Sequence, residues 1–98
     1  GIQIFLFDDQ RIFLGEKEMP IDDLKSELRL MLFNEPDRSI LLLSAEKVSV
    51  QRLVNVMDDV YLMGGKNVAV AQWDPALGGP DVTVPAEEAE ASDANQPL

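Results

Sequence analysis

The residues best placed for chemistry in this sequence are its adjacent carboxylates, Asp8-Asp9, Asp22-Asp23, Asp58-Asp59 and Glu87-Glu88. Acid–base catalysis needs two titratable groups converging on one substrate, in environments that push their pKa values apart. Adjacent residues on a helix point about 100° apart and do not converge. A calcium loop needs alternating oxygen ligands and a closing Glu, and no such run occurs. The sequence has no His and no Cys, which removes the usual general base, the thiol nucleophile and most zinc sites. Ser26, Ser39, Ser44, Ser49 and Ser92 therefore have no imidazole to activate them. Gly64-Gly65 follows a helical pattern instead of opening one, so it reads as a helix cap and not a phosphate cradle. We expect no catalytic residue, no metal and no cofactor, and hence no enzyme. The acid pairs read as turn, helix-start or solvated positions. Asp58-Asp59, late in a helix where the dipole does not favour them, leave room for a polar contact with a partner.

The elements that would position these residues can be read from periodicity. Ile2 to Phe7 is a short strand rich in Ile and Phe. Asp8 to Gln10 is a tight connection to a second strand, Arg11 to Leu14, which Gly15 ends. Pro20-Ile21-Asp22-Asp23 opens a helix whose Leu24, Leu28, Met31 and Leu32 recur with the helical period. Pro36 stops it near Asn34. Ser39 to Ser44 is a third strand, apolar on both faces and therefore central. Ser49 caps a second helix with a stripe of Leu53, Val56, Met57 and Val60. Gly64-Gly65 closes it. Asn67 to Gln72 is the fourth strand, and Trp73-Asp74-Pro75 ends the folded part. Asp81 to Val84 could add one more strand.

Length and composition set the frame around these elements. The chain has 98 residues, enough for one domain, and a net charge of −10. From Pro75 onward it is rich in Pro, Ala and acids, with no Lys or Arg. Such a stretch cannot bury enough apolar surface to offset its ordering entropy. The expected organisation is a domain over residues 1–74 and a mostly disordered acidic tail over 75–98. The acidic balance argues against nucleic acid and against an anionic membrane surface. It suits solubility or a cationic partner. There is no signal peptide and no transmembrane run. Gly1 leads directly into a strand pattern with no initiator Met, as expected of a fragment of a longer protein.

The order β-β-α-β-α-β, with right-handed crossovers, gives an α/β two-layer sandwich: a mixed sheet with two helices on one face. Such a fold leaves one sheet face without helices, yet both faces carry large apolar residues. Ile4 and Leu6 alternate with Phe5 and Phe7, and Ile40 and Leu42 with Leu41 and Leu43. Uncovered apolar surface of this kind marks an interface. We expect a homodimer or a protein partner, unless sheet twist and the tail cover the face.

Three segments carry a resemblance to a known family. They are the hairpin followed by Glu18-Met19-Pro20-Ile21-Asp22-Asp23-Leu24; Glu35-Pro36-Asp37-Arg38-Ser39-Ile40-Leu41-Leu42; and Ala45-Glu46-Lys47-Val48-Ser49-Val50 with Leu53-Val54-Asn55-Val56-Met57-Asp58, Gly64 and the last strand. In order and spacing they resemble the periplasmic domain of the ExbD/TolR biopolymer-transport family, over about residues 2–72. The resemblance implies a single-pass bacterial inner-membrane protein whose transmembrane helix lies outside this sequence. It implies dimerisation within an ExbB- or TolQ-type channel, and use of the proton motive force to energise a TonB- or TolA-type protein acting on the outer membrane. The proton-carrying Asp it implies belongs to that transmembrane helix, so no residue here takes the role. Glu46-Lys47 stands where the family usually has Asp-Lys, and reads as loop and helix-start geometry. The acidic Pro-rich tail departs from the family pattern.

The resemblance leaves two functional readings within the family: energising a TonB-type partner, or binding peptidoglycan in the TolR manner. A small-ligand sensor or an enzyme is the reading from another class. For partner binding the candidate residues are Val68, Val70, Gln72 and Trp73. The last strand should be outermost and could lend its edge to an extended segment, and a lone Trp beside that strand suits an interface anchor or core packing.

Overall fold

The computed structural model describes residues 1–82. Along the chain run β1 (Ile2–Leu6), β2 (Ile12–Leu14), β3 (Lys17–Glu18), α1 (Ile21–Asn34), β4 (Ser39–Ser44), α2 (Val50–Leu62) and β5 (Asn67–Gln72). The sheet order is β3-β2-β1-β4-β5. β1 and β2, and β2 and β3, pair antiparallel; β1 and β4, and β4 and β5, pair parallel. This is the expected mixed α/β sheet with one addition. The short β3 turns back at Gly15, which has φ +61°, and pairs Glu18 with Phe13. Two charged residues carry no periodic signal, so β3 is invisible to pattern reading.

Local chemistry accounts for the element ends. Asp8 Oδ1 accepts the N–H groups of Gln10 and Arg11 at 2.9 and 2.8 Å, shaping the β1–β2 turn. Asp9 Oδ1 accepts the Ser49 N–H at 2.7 Å and ties that turn to the start of α2. Ser49 caps α2, its side chain accepting the Arg52 N–H at 3.0 Å. At the other end, Gly64 N–H donates to Tyr61 O and Gly65 N–H to Val60 O. With Gly64 at φ +110°, this is a Schellman closure.

Both helices pack on one face of the sheet. Leu24, Leu28 and Leu32 of α1 and Val56 and Val60 of α2 join Ile2, Ile4, Leu6, Ile12, Ile40 and Leu42 in the main core. The opposite face carries a second cluster of Phe5, Phe13, Ala45 and Trp73, with Phe7, Leu43 and Val82 packed against it. Residues after β5 provide the cover there. Trp73 stacks edge-on against Phe5 at 5.0 Å and Phe7 at 6.3 Å. Its Nε1–H donates to Gly78 O at 2.7 Å. Gly79 crosses the indole so closely that a Cβ there would lie 2.6 Å from Trp73 Nε1. Residues 75–82 thus follow a defined course over the sheet. Of the further strand expected at Asp81–Val84, Asp81 and Val82 are irregular. Thr83 and Val84 lie outside the described residues, as does the rest of the stretch expected to be disordered.

Candidate partner interface

β5 is the outermost strand on its side, paired with β4 alone among the described strands. Its start is fixed by the Asn67 side chain, whose Nδ2 donates to Asp37 O at 2.8 Å. Its end is fixed by Trp73, whose N–H donates to Ser44 O at 2.9 Å. That last bond also sets the phase of the strand. Successive residues turn their N–H and C=O to alternate sides, so the odd-numbered residues of β5 face β4. Val68, Val70 and Gln72 turn their backbone polar groups outward, along an edge of six uncharged residues.

The side chains of those same residues lie on the helix side, because Val68 and Val70 are opposite Ile40 and Leu42 of the main core. Val68 is half-buried, whereas Val70 is 44% exposed and Gln72 is exposed. Beside them runs the outer flank of α2. Asp59 marks the flank facing α1, reaching Lys25 at 4.0 Å. At about 100° per residue, Val50, Val54 and Tyr61 fall roughly half a turn away, on the β5 side. They are 79%, 43% and 49% exposed.

Trp73 does not belong to this outward surface. It is 8% exposed, beneath its own C-terminal segment and against Phe5 and Phe7 instead of a helix end. Its contribution to the edge is to anchor it. At the end of β5 an open cleft of about 910 Å³ lies between the start of α2 and the turn after Trp73. Leu53, Val70, Trp73 and Leu77 line it, with Glu46 and Asp74 the charged lining residues. On the helix-free face, the half not covered by residues 73–82 forms a shallow apolar hollow. Gln3, Leu41 and Ala69 lie on its floor, and no charged side chain lines it.

Residues 1–74 match the family described as Biopolymer transport protein ExbD/TolR. The chain belongs to the ExbD/TolR family. No individual curated protein matches it. ExbD/TolR proteins are transport-associated and non-enzymatic, and inner-membrane-associated with a periplasmic domain. The ExbD/TolR match ends at the start of the segment that covers Phe5 and Trp73, so that cover is a feature beyond the matched region. No helix among the described residues is long and apolar enough to cross a membrane. Among them, too, no group of three or more acidic side chains is placed to hold a metal.

The acid pairs separate into distinct roles in this ExbD/TolR domain. Asp8 and Asp9 hold a turn, Asp22 and Asp23 occupy the first turn of α1, and Asp59 meets Lys25. Glu46-Lys47 sits in the loop before α2, with Glu46 on the rim of the cleft. Sequence reading missed the α2 flank and the cleft. A helical projection of α2 carries the signal for the first, since Val50, Val54 and Tyr61 share a side distinct from the buried stripe. The cleft has no linear signal, because Leu53 and Leu77 meet only in three dimensions.

Proposed function

We propose that this chain is the periplasmic domain of a proton-motive-force-driven inner-membrane motor subunit of the ExbD type. It dimerises and transmits energy to a TonB-type partner for outer-membrane transport. The observation that carries this reading is the long, uncharged edge of β5, with which no described strand but β4 pairs, in a member of this family. An exposed edge of that kind is a template for an added strand, and backbone hydrogen bonds give affinity without demanding a rigid partner. The domain acts mechanically, as a rigid body that grips an extended segment while its membrane anchor moves within an ExbB- or TolQ-type channel. The homodimer contact belongs on the uncovered half of the helix-free face. There Leu41 and Ala69 are apolar and no carboxylate opposes a second acidic copy.

The test is co-sedimentation of the chain with isolated peptidoglycan across a salt series, alongside capture by the periplasmic region of a TonB-type protein. The expected result is capture by the protein and no salt-resistant sedimentation with the cell wall. Sedimentation that survives salt, with no capture, would overturn this reading in favour of a TolR-type domain that binds peptidoglycan.

A further inference from the structure

Leu30, Phe33 and Leu62 are among the most exposed large apolar side chains of the described residues, at 63%, 84% and 74%, and they gather at one end of the molecule. The parallel strands β1, β4 and β5 start level with one another, Ile2 beside Ile40 and Ser39 beside Asn67. α1 leads into β4 and α2 into β5, so both helices run back against the strands and finish at that same end. The two helix ends meet there: a Cβ on Gly64 would lie 3.8 Å from Leu32 Cβ. Leu30 and Phe33 are about one turn apart, and at about 100° per residue they fall on the side of α1 away from the buried Leu24, Leu28 and Leu32. Leu62, the last residue of α2, falls away from Val56 and Val60 by the same geometry.

We propose that this end of the domain rests on the lipid surface, with Leu30, Phe33 and Leu62 entering the boundary between headgroups and acyl chains. This inference rests on the reading of the chain as the periplasmic domain of a membrane-anchored subunit, and adds a surface that reading does not use. Direction and charge select lipid as the occupant. Gly1 sits against Ser39, where a Cβ would lie 2.5 Å from Ser39 Oγ, so a chain entering β1 arrives at this end. An anchor joined there holds Leu30, Phe33 and Leu62 toward the bilayer. The charge of −10 is not spread evenly. Asp8, Asp9, Glu46 and Asp74 follow the far ends of β1, β4 and β5, and Asp22 and Asp23 open α1 there. Around the near end Glu16, Glu35 and Asp37 stand against Lys17, Arg38 and Lys66 and cancel them. Arg38 lies 3.9 Å from Glu35, and Asp58 is one turn back from Leu62, farther from the end. A neutral, apolar corner meets the interface without the repulsion that an anionic leaflet sets against the far end. Arg38 and Lys66 lay their aliphatic stems along it and keep their charges at headgroup level.

The experiment uses the full 98-residue chain, which has no cysteine of its own, with one cysteine added after Leu98. It is coupled there to a maleimide lipid in phosphatidylcholine bicelles that contain a nitroxide-labelled lipid. Because the tether follows Leu98, it does not impose contact at the end where β1 starts. The expected result is that amide relaxation is enhanced most at residues 30–34 and 62–66 and least at Asp8, Gln10 and Glu46. Without the tether, the triple variant Leu30→Ser/Phe33→Ser/Leu62→Ser should partition into phosphatidylcholine vesicles at least about ten-fold less than the parent. Its melting temperature should not change, because the three side chains are exposed. Enhancement spread evenly over the surface, or partition unchanged in the variant, overturns the inference. Exchange at Phe33 and Leu62 that slows with protein concentration in lipid-free buffer puts a second copy on the patch and also overturns it. Capture by a TonB-type protein with no lipid contact sinks this inference and leaves the proposed function standing. Lipid contact with no capture upholds the lipid surface and removes the TonB-type reading.

Discussion

The two edges of the sheet are built in opposite ways. β3 is two residues long and fully charged, Lys17 and Glu18. Glu18 is held by Arg11, with a guanidinium-to-carboxylate distance of 2.7 Å. The same Arg11 lies over the rings of Phe7 and Phe13, 5.5 and 5.9 Å from their centroids. One cation thereby seals the edge and the aromatic cluster together. β5 is six residues long, carries no charge and no proline, and turns three sets of backbone donors and acceptors outward. Short, charged edges are how sheets avoid adding strands. Among the described residues no strand pairs with the outer edge of β5, and the proposed partner role rests on that contrast.

The contrast can be broken at either end. The largest effect should come from Trp73→Ala, which empties the cluster that pins the end of β5. Large aromatic-to-alanine changes in packed sites cost several kcal/mol, and about 3 kcal/mol is expected here in a urea melt. Amide exchange should accelerate along β5 before it does along β2. Equal acceleration on both sides would show that the C-terminal cover stabilises the whole sheet and not this edge. Next in size is Val70→Pro. The Val70 N–H points away from β4, so proline removes a donor the fold does not use. Partner affinity should fall by at least about ten-fold, or 1.4 kcal/mol, while thermal stability changes by about 1 kcal/mol or less. Unchanged affinity with an intact fold would end the edge hypothesis.

The smallest effect concerns the sealed edge. The hydrogen bond from Arg11 holds the Glu18 carboxyl below its ordinary value of 4.5. A lowered carboxylate pKa contributes stability that is present above the unfolded value and lost as pH falls through the folded one. The Glu18 side chain is 44% exposed, against 19% for Arg11, so solvent screens the pair and Glu18→Gln should cost no more than about 1 kcal/mol near neutral pH. The gap between variant and parent in urea midpoints should close on acidification below the ordinary glutamate range. A gap that persists in acid would mean that the edge is held by packing of Arg11 on Phe7 and Phe13 instead of by charge.

Much of this architecture was legible in the residues. Leu24, Leu28 and Leu32 announced the buried side of α1, and Ser49 and Gly64-Gly65 the limits of α2. The doubly apolar strand Ser39–Ser44 took an interior place in the sheet, between β1 and β5, as its composition demanded. The local rules behind these readings involve residues a few positions apart, which is why a linear reading captures them. β3 escaped because two residues cannot display a period. The fate of the helix-free face escaped because it depended on where the chain went after Trp73. Of the candidate partner residues, Val68, Val70 and Gln72 share the outward backbone phase of β5, while Trp73 is buried beneath residues 75–82. The α2 flank lay unread in Val50, Val54 and Tyr61, which share one side of the helix and stay exposed.

By itself the sequence determined the two helices and their limits, the four longer strands, the lack of any imidazole or thiol, and the family. Each follows from residue type and short-range spacing, which tertiary packing here did not override. Only the tertiary structure decided which strand edge stays open among the described residues and which backbone groups face outward along it. Those are properties of long-range register, set when Ser44 accepts from Trp73 and residues 73–82 close over Phe5. No local pattern specifies such contacts, because they arise between segments that meet only once the core has formed.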